Sequence, residues 1–178
     1  MMQYKLIPVG ELPNFNYQTS MAGEFFVLAQ LFLRDYTASL TYGHAKSVDI
    51  LISVKSGKMF KIEVKTARHE VKYGSDKSNF GQNYIWQMNE KHENKKDPNL
   101  FYCFVILRGT TQIPRFFIVR SKEVAKYVKK EYKYWISLKR KKKVKNTVRR
   151  TFRIGLNEKS HGLKPMENYE NKWDILPK

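Results

Sequence analysis

Residues 47–66, SVDILISVKSGKMFKIEVKT, constrain this chain more than any other stretch. Val48, Ile50, Ile52 and Val54 alternate with Ser47, Asp49, Leu51 and Ser53. Beyond Ser56-Gly57, Phe60, Ile62 and Val64 alternate with Met59, Lys61, Glu63 and Lys65. Apolar residues at period two, broken by a glycine turn, predict a β-hairpin with one face in the core. Residues two apart share a strand face, so Glu63 and Lys65 leave the same side. Pairing around the turn brings Asp49 near them, and two carboxylates and an ammonium converge on one patch.

That grouping suits phosphodiester hydrolysis. Mg2+ takes a few hard oxygen ligands and keeps several waters, which two carboxylates and a backbone carbonyl can satisfy. A bound metal lowers the pKa of its water and neutralises charge on the phosphate, while a neighbouring lysine orients the attacking water. The bland alternative is a solvated Glu-x-Lys pair beside an unremarkable aspartate.

Asp49, thirteen intervening residues and then Glu63-Val64-Lys65 resemble the PD-(D/E)xK nuclease superfamily, the restriction-endonuclease-like fold of small bacterial and archaeal-type members. The resemblance covers roughly residues 19–107 in element order, with Val48 in place of the proline. It implies an α/β core, a helix followed by a mixed β-sheet flanked by helices. It also implies metal ligation by Asp49, Glu63 and the Val64 backbone carbonyl, with Lys65 serving the nucleophile. Glu24, on the preceding helix, matches the acid that acts directly or through water. Mg2+ is the implied cofactor and Mn2+ a substitute.

At 178 residues and 42% hydrophobic content, the chain is long enough for one domain with a real core. A net charge of +18 points to a polyanionic partner, nucleic acid before an anionic membrane surface. The single Cys103 excludes an intramolecular disulfide and a Cys-based zinc site, and fits a reducing compartment. The start, MMQYKLIPVGELP, has no apolar core of a signal peptide, and the longest apolar run, 100–107, is too short to span a bilayer. A soluble cytoplasmic protein is the expectation.

In chain order, residues 1–18 read as an extended lead-in and 19–120 as the α/β core. A helix is predicted from about 20 to 35, capped by Thr19 or Ser20 and apolar nearly all round, hence buried. Glu24 on it is either a first-turn carboxylate favoured by the helix dipole or a member of the site. Residues 37–42 read as a leading strand. His44 and His69 read as surface loop residues. Residues 67–82 form a polar, mobile rim loop. Residues 83–94 read as a second helix or an irregular segment around Trp86-Gln87-Met88, ended by Asp97-Pro98. Residues 100–107 form a strand covered on both faces, and 115–119 return it.

Residues 121–153 form a basic helical arm. Ser121 reads as its cap, Val124, Val128, Trp135 and Ile136 as its inner face, and Lys122, Lys126, Lys129, Lys130 and Lys133 as its outer one. From 120 to 153 there are 15 Lys/Arg against two acids, a net +13. The run Lys139, Arg140, Lys141, Lys142, Lys143, Lys145, Arg149 and Arg150 reads as the phosphate-binding set. Tyr127, Tyr132 and Tyr134 pack more readily than they stack on bases. Residues 154–178 read as a tail whose ending, 169–176, docks on the core as an aromatic anchor, with a short strand at 152–154.

The sequence therefore predicts a Mg2+-dependent endonuclease for duplex or branched DNA, of restriction, junction-resolving or repair type. A homodimer is the expected form, since cutting two strands needs two sites. The rivals are a non-catalytic nucleic-acid-binding protein on the same fold and an RNA-associated basic protein.

Overall fold

A computed structural model describes residues 16–41, 48–68, 70–75, 77–138, 146–156 and 169–178. Helix α1 (Asn16–Phe32) leads into β1 (Thr37–Leu40), β2 (Ile50–Ser53) and β3 (Met59–Ala67). There follow β4 (Asn83–Asn89), a 3-10 helix (Glu90–Asn94), β5 (Leu100–Arg108), β6 (Gln112–Arg120), α2 (Ser121–Ser137) and β7 (Arg149–Gly155). A short 3-10 turn, Trp173–Ile175, closes the tail.

The fold is mixed α/β. Five strands run β1-β2-β3-β5-β6, antiparallel except for the parallel pair β3–β5. A separate ribbon pairs β4 with β7. The predicted hairpin is present, with Ile50 opposite Ile62 and Ile52 opposite Phe60, and Gly57 turns it at φ +80°.

β5 is an inner strand, between β3 and β6, and is buried from Leu100 to Ile106, as an apolar run without polar alternation requires. Phe101, Cys103 and Val105 face one core with Val27 and Leu31 of α1, Ile50, Ile52, Phe60, Ile62, Val64, Trp173 and Leu176. Leu100, Tyr102, Phe104 and Ile106 face a second core with Trp86, Val124, Val128 and Phe152. Cys103 is a buried free thiol, held protonated by desolvation. At the tail, Glu170 bridges Phe117, and the Tyr36 hydroxyl donates to the Leu176 carbonyl at 3.2 Å.

Several expectations are corrected. Helix α1 begins at Asn16, upstream of Thr19 and Ser20, and only one side of it is covered. The sheet takes Val27 and Leu31, leaving Phe25 (52% exposed), Phe26, Phe32 and Leu33 outside. Residues 83–89 form a strand rather than a second helix, because Tyr84, Trp86 and Met88 alternate inward against β7. Gln87 between them is exposed. Ser121 does not cap α2; its hydroxyl donates to the Asp97 carbonyl. Trp135 and Ile136 leave the inner face of α2, which Tyr127, Glu131 and Tyr132 fill instead.

The rim segment is tied down at two points. Tyr73 bridges Asn83, and Glu70 accepts bonds from Tyr84 (2.6 Å), Arg108 (3.1 Å) and Arg115 (3.0 Å). His44, His69 and residues 139–145 lie outside the described residues. No helix among the described residues is long and apolar enough to cross a membrane.

Candidate active site

The candidate residues meet where β2 stops and β3 continues. β2 pairs with β3 only from Ile50 onward, so beyond Ile62 the β2 side of β3 has no strand partner. Asp49 fills that gap. Its N–H donates to the Ile62 carbonyl at 2.9 Å, and its Oδ2 accepts the Val64 N–H at 2.6 Å. The aspartate thus brackets Glu63 from both sides. Burial raises the Asp49 carboxyl, with the Val64 bond and Lys65 opposing and Glu63 adding to the rise.

Glu63 and Lys65 share a strand face, as the period requires, and their Oε1–Nζ distance is 2.7 Å. The expected outward face is nonetheless covered at this point: Glu63 is 1% exposed. The ribbon and the 3-10 helix lie over it, and two residues unforeseen in the sequence reach its carboxylate. His92 Nε2 donates to Oε1 at 3.1 Å, and Lys95 Nζ donates to Oε2 at 2.8 Å. An ionised carboxylate can only accept, so the Nε2 position carries the proton. Burial works to raise the Glu63 carboxyl, but the bonds from His92, Lys65 and Lys95 outweigh it and hold it well below the usual range. Tyr102, opposite Glu63 on β5, has its buried hydroxyl at the same place, and burial, then the Glu63 carboxylate, raises its pKa.

The sequence signal for His92 lay in the capping pattern of Asn89-Glu90-Lys91-His92, which does not reach Lys95. Asn89 caps the 3-10 helix, and the His92 ring accepts the Asn89 N–H at 3.1 Å, which turns Nε2 toward β3.

Glu24 approaches from α1, on the other face of the sheet. Desolvation, then the Asp49 charge, pushes its carboxyl up to about 7, with Lys65 opposing. Its helix sits close because residue 23 is glycine: a β-carbon there would lie 1.9 Å from Thr66 Oγ1. Beside Lys65 opens a cleft of about 660 Å³, lined by Thr66, Arg68, Tyr73, Tyr84, Trp86 and Gln87 among others.

The structure therefore brings Asp49, Glu63, Lys65 and the Val64 backbone together, with Glu24 in electrostatic reach. Of the basic set, Arg149 is exposed. Arg150 is corrected: it is 5% exposed, lies 3.3 Å over the Tyr132 ring and bonds Glu93, so it braces the fold rather than a phosphate. Lys139, Arg140, Lys141, Lys142, Lys143 and Lys145 lie outside the described residues. Tyr127 and Tyr132 are buried, as packing residues are.

The donor set fits a hard divalent cation. Asp49 and Glu24 are carboxylates in a partly desolvated place, and the Asp49 charge opposes ionisation of Glu24, which is the setting a cation relieves. Glu63 has both oxygens engaged and joins such a site only by exchanging a lysine. Among the described residues no group of three or more His, Cys, Asp or Glu side chains is placed to hold a metal ion. A Mg2+ site that keeps several waters does not require such a group.

No protein-family model and no curated protein matches the chain. A solved structure of a bacterial homing endonuclease aligns over 89% of this chain and 89% of its own, at 13% identity and a TM-score of 0.48. That is a likeness in outline.

Proposed function

We propose that the chain is a Mg2+-dependent DNA endonuclease of the PD-(D/E)xK type. The observation that carries this reading is the convergence of Asp49, Glu63 and Lys65 at the end of β2, with Asp49 bonded to the residue between the other two. When bound, Mg2+ supplies Lewis-acid activation of water and charge neutralisation at the phosphate. Asp49, Glu63 and the Val64 carbonyl would hold it, with Glu24 directly or through water; Mn2+ would substitute.

Lys65 orients the attacking water and stabilises charge as the phosphorus–oxygen bond forms. The 3′-oxygen leaves in line as its bond to phosphorus breaks, giving a 5′-phosphate and a 3′-hydroxyl. His92 holds the Glu63 carboxylate in place from behind. The cleft beside Lys65 would receive the sugar-phosphate chain. The basic run 139–145 would add phosphate contacts, a homodimer would present two sites, and the cytoplasm is the proposed setting.

The complete engagement of Glu63 by Lys65, His92 and Lys95 favours a second reading, a nucleic-acid-binding protein whose former site is now a structural ion network. Plasmid nicking with Mg2+ separates the two. Nicking that is lost in Asp49→Asn and Glu63→Ala supports the endonuclease. Equal nicking by wild type and both variants, or none by any, supports the second reading.

A further inference from the structure

We propose that the outer face of α2, together with Lys96, is a phosphate rail that binds the backbone of duplex DNA and delivers it toward Glu63. This rests on the endonuclease reading and goes beyond it, since the arm's binding residues were sought in 139–150.

Lys122, Lys126, Lys129 and Lys133 recur at four, three and four residues, which puts them on one stripe of the helix, with Lys130 beside it. All five are exposed, as is Lys96. The stripe spans about 16 Å at 1.5 Å per residue. That is the length of roughly five phosphates of one DNA strand at about 3.4 Å of axis each.

The ordinary reading of such a face is plain solvation. Three observations weigh against it. First, α2 has two acids, and both are turned inward: Glu123 accepts the Tyr169 hydroxyl at 2.7 Å, and Glu131 accepts Arg153 Nε at 3.0 Å. No carboxylate of the helix is left to interleave with the lysines. Second, the lysines do not merely fan outward. Lys96, Lys122, Lys126, Lys129, Lys130 and Lys133 line a groove of about 260 Å³ floored by Ala125. The one acid on its wall, Glu93, is already neutralised by Arg150. Among the described residues none of these lysines has an ion-pair partner. Like charges one helical turn apart repel, and a polyanion relieves that repulsion.

Third, the groove and the catalytic carboxylate share a wall. The 3-10 helix and the two lysines after it turn His92 and Lys95 inward to Glu63, and Glu93 and Lys96 outward to the groove. A strand lying on α2 therefore rests one residue from a group that touches Glu63.

The test is binding of a labelled DNA duplex in EDTA, where no cleavage occurs, as a function of salt. The full-length variant K126Q/K129Q/K133Q is compared with wild type and with K172Q/K178Q, exposed lysines of the tail, which packs on the opposite face of the sheet from α2. Circular dichroism checks that all three fold. Each lost phosphate contact lowers the slope of log K against log salt by about 0.9, so the rail variant should lose about 2.7 from the slope. It should also bind at least tenfold more weakly at low salt on any duplex sequence, with the control variant unchanged. An unchanged slope, or equal losses in the two variants, overturns the rail. Tighter binding of structured RNA than of duplex, with the same lysine dependence, overturns the assignment to DNA. Because EDTA removes catalysis from the readout, a failed nicking assay and a failed rail are separate results.

Discussion

Gly23 of α1 sits so close to Thr66 of β3 that a β-carbon on it would overlap the threonine hydroxyl, at 1.9 Å. Glycine here serves the approach of helix to strand, and through it the position of Glu24. Gly23→Ala should therefore destabilise by about 1–3 kcal/mol, as overpacking does. Helix propensity alone would give the opposite sign, a gain of up to about 1 kcal/mol. Urea unfolding decides between them. Adding Thr66→Ala removes the 1.9 Å contact but keeps one at 2.9 Å, so it should recover part of the loss.

The Glu63 network gives a signed dependence on acid. Its carboxyl lies below the usual 4.5 in the folded chain, so the unfolded chain takes up the proton first. The stabilisation is complete above 4.5 and is lost as pH falls through the lower folded value. Glu63→Ala leaves a buried histidine and two lysines without their partner and should cost about 3–5 kcal/mol at neutral pH. Thermal melts of the variant should show a smaller loss on acidification than wild type, with Glu70 and Asp97 keeping the remainder.

Glu24 has the opposite sign. Its folded value is raised to about 7 from 4.5, so its contribution is present below 4.5 and fades as pH rises through 7. In EDTA, wild type should lose stability between these limits relative to Glu24→Gln. Millimolar Mg2+ should stabilise the wild type at pH 8 and leave Asp49→Asn unmoved. Parallel pH profiles of wild type and Glu24→Gln would remove Glu24 from the site.

Lys95 holds the oxygen of Glu63 that a cation would need. Lys95→Met should therefore bind Mn2+ several-fold more tightly than wild type in calorimetry. Weaker binding would show that Lys95 helps to organise the site.

Helix α1 carries one charged residue, Glu24, in a chain of net +18. Its exposed Phe25, Phe26 and Phe32 would be the surface of the proposed homodimer, away from cationic repulsion. Sedimentation equilibrium should find a dimer for wild type and a monomer for Phe25→Asp/Phe32→Asp. A monomeric wild type would end the two-site arrangement.

The hairpin, the buried β5, the docking tail and the meeting of Asp49 with Glu63 and Lys65 were legible because period-two patterning fixes which side chains share a face. The cover over Glu63 was not. It depends on β4 pairing with β7, more than sixty residues away, and a local reading of Trp86-Gln87-Met88 has no access to that partner. The same pairing swings the 3-10 helix over β3 and brings in His92 and Lys95. The exposure of α1 was missed for a related reason. Its composition is apolar all round, but one sheet can cover only one side of a helix. Arg150 looked like part of a basic run, yet Glu93 and Tyr132 claim it from elements that the run does not reveal.

Trp173 and Leu176 fill the α1 side of the sheet, against Phe116 and Tyr36. During synthesis that layer stays open to water until residue 176 has emerged from the ribosome. The buried members of the second core end at Ile154, with only Leu156 and Tyr169 added at its edge, so that core can close first. Folding in that order would run from the lysine-bearing helix toward α1 and would leave Glu24 among the last groups to reach its final surroundings.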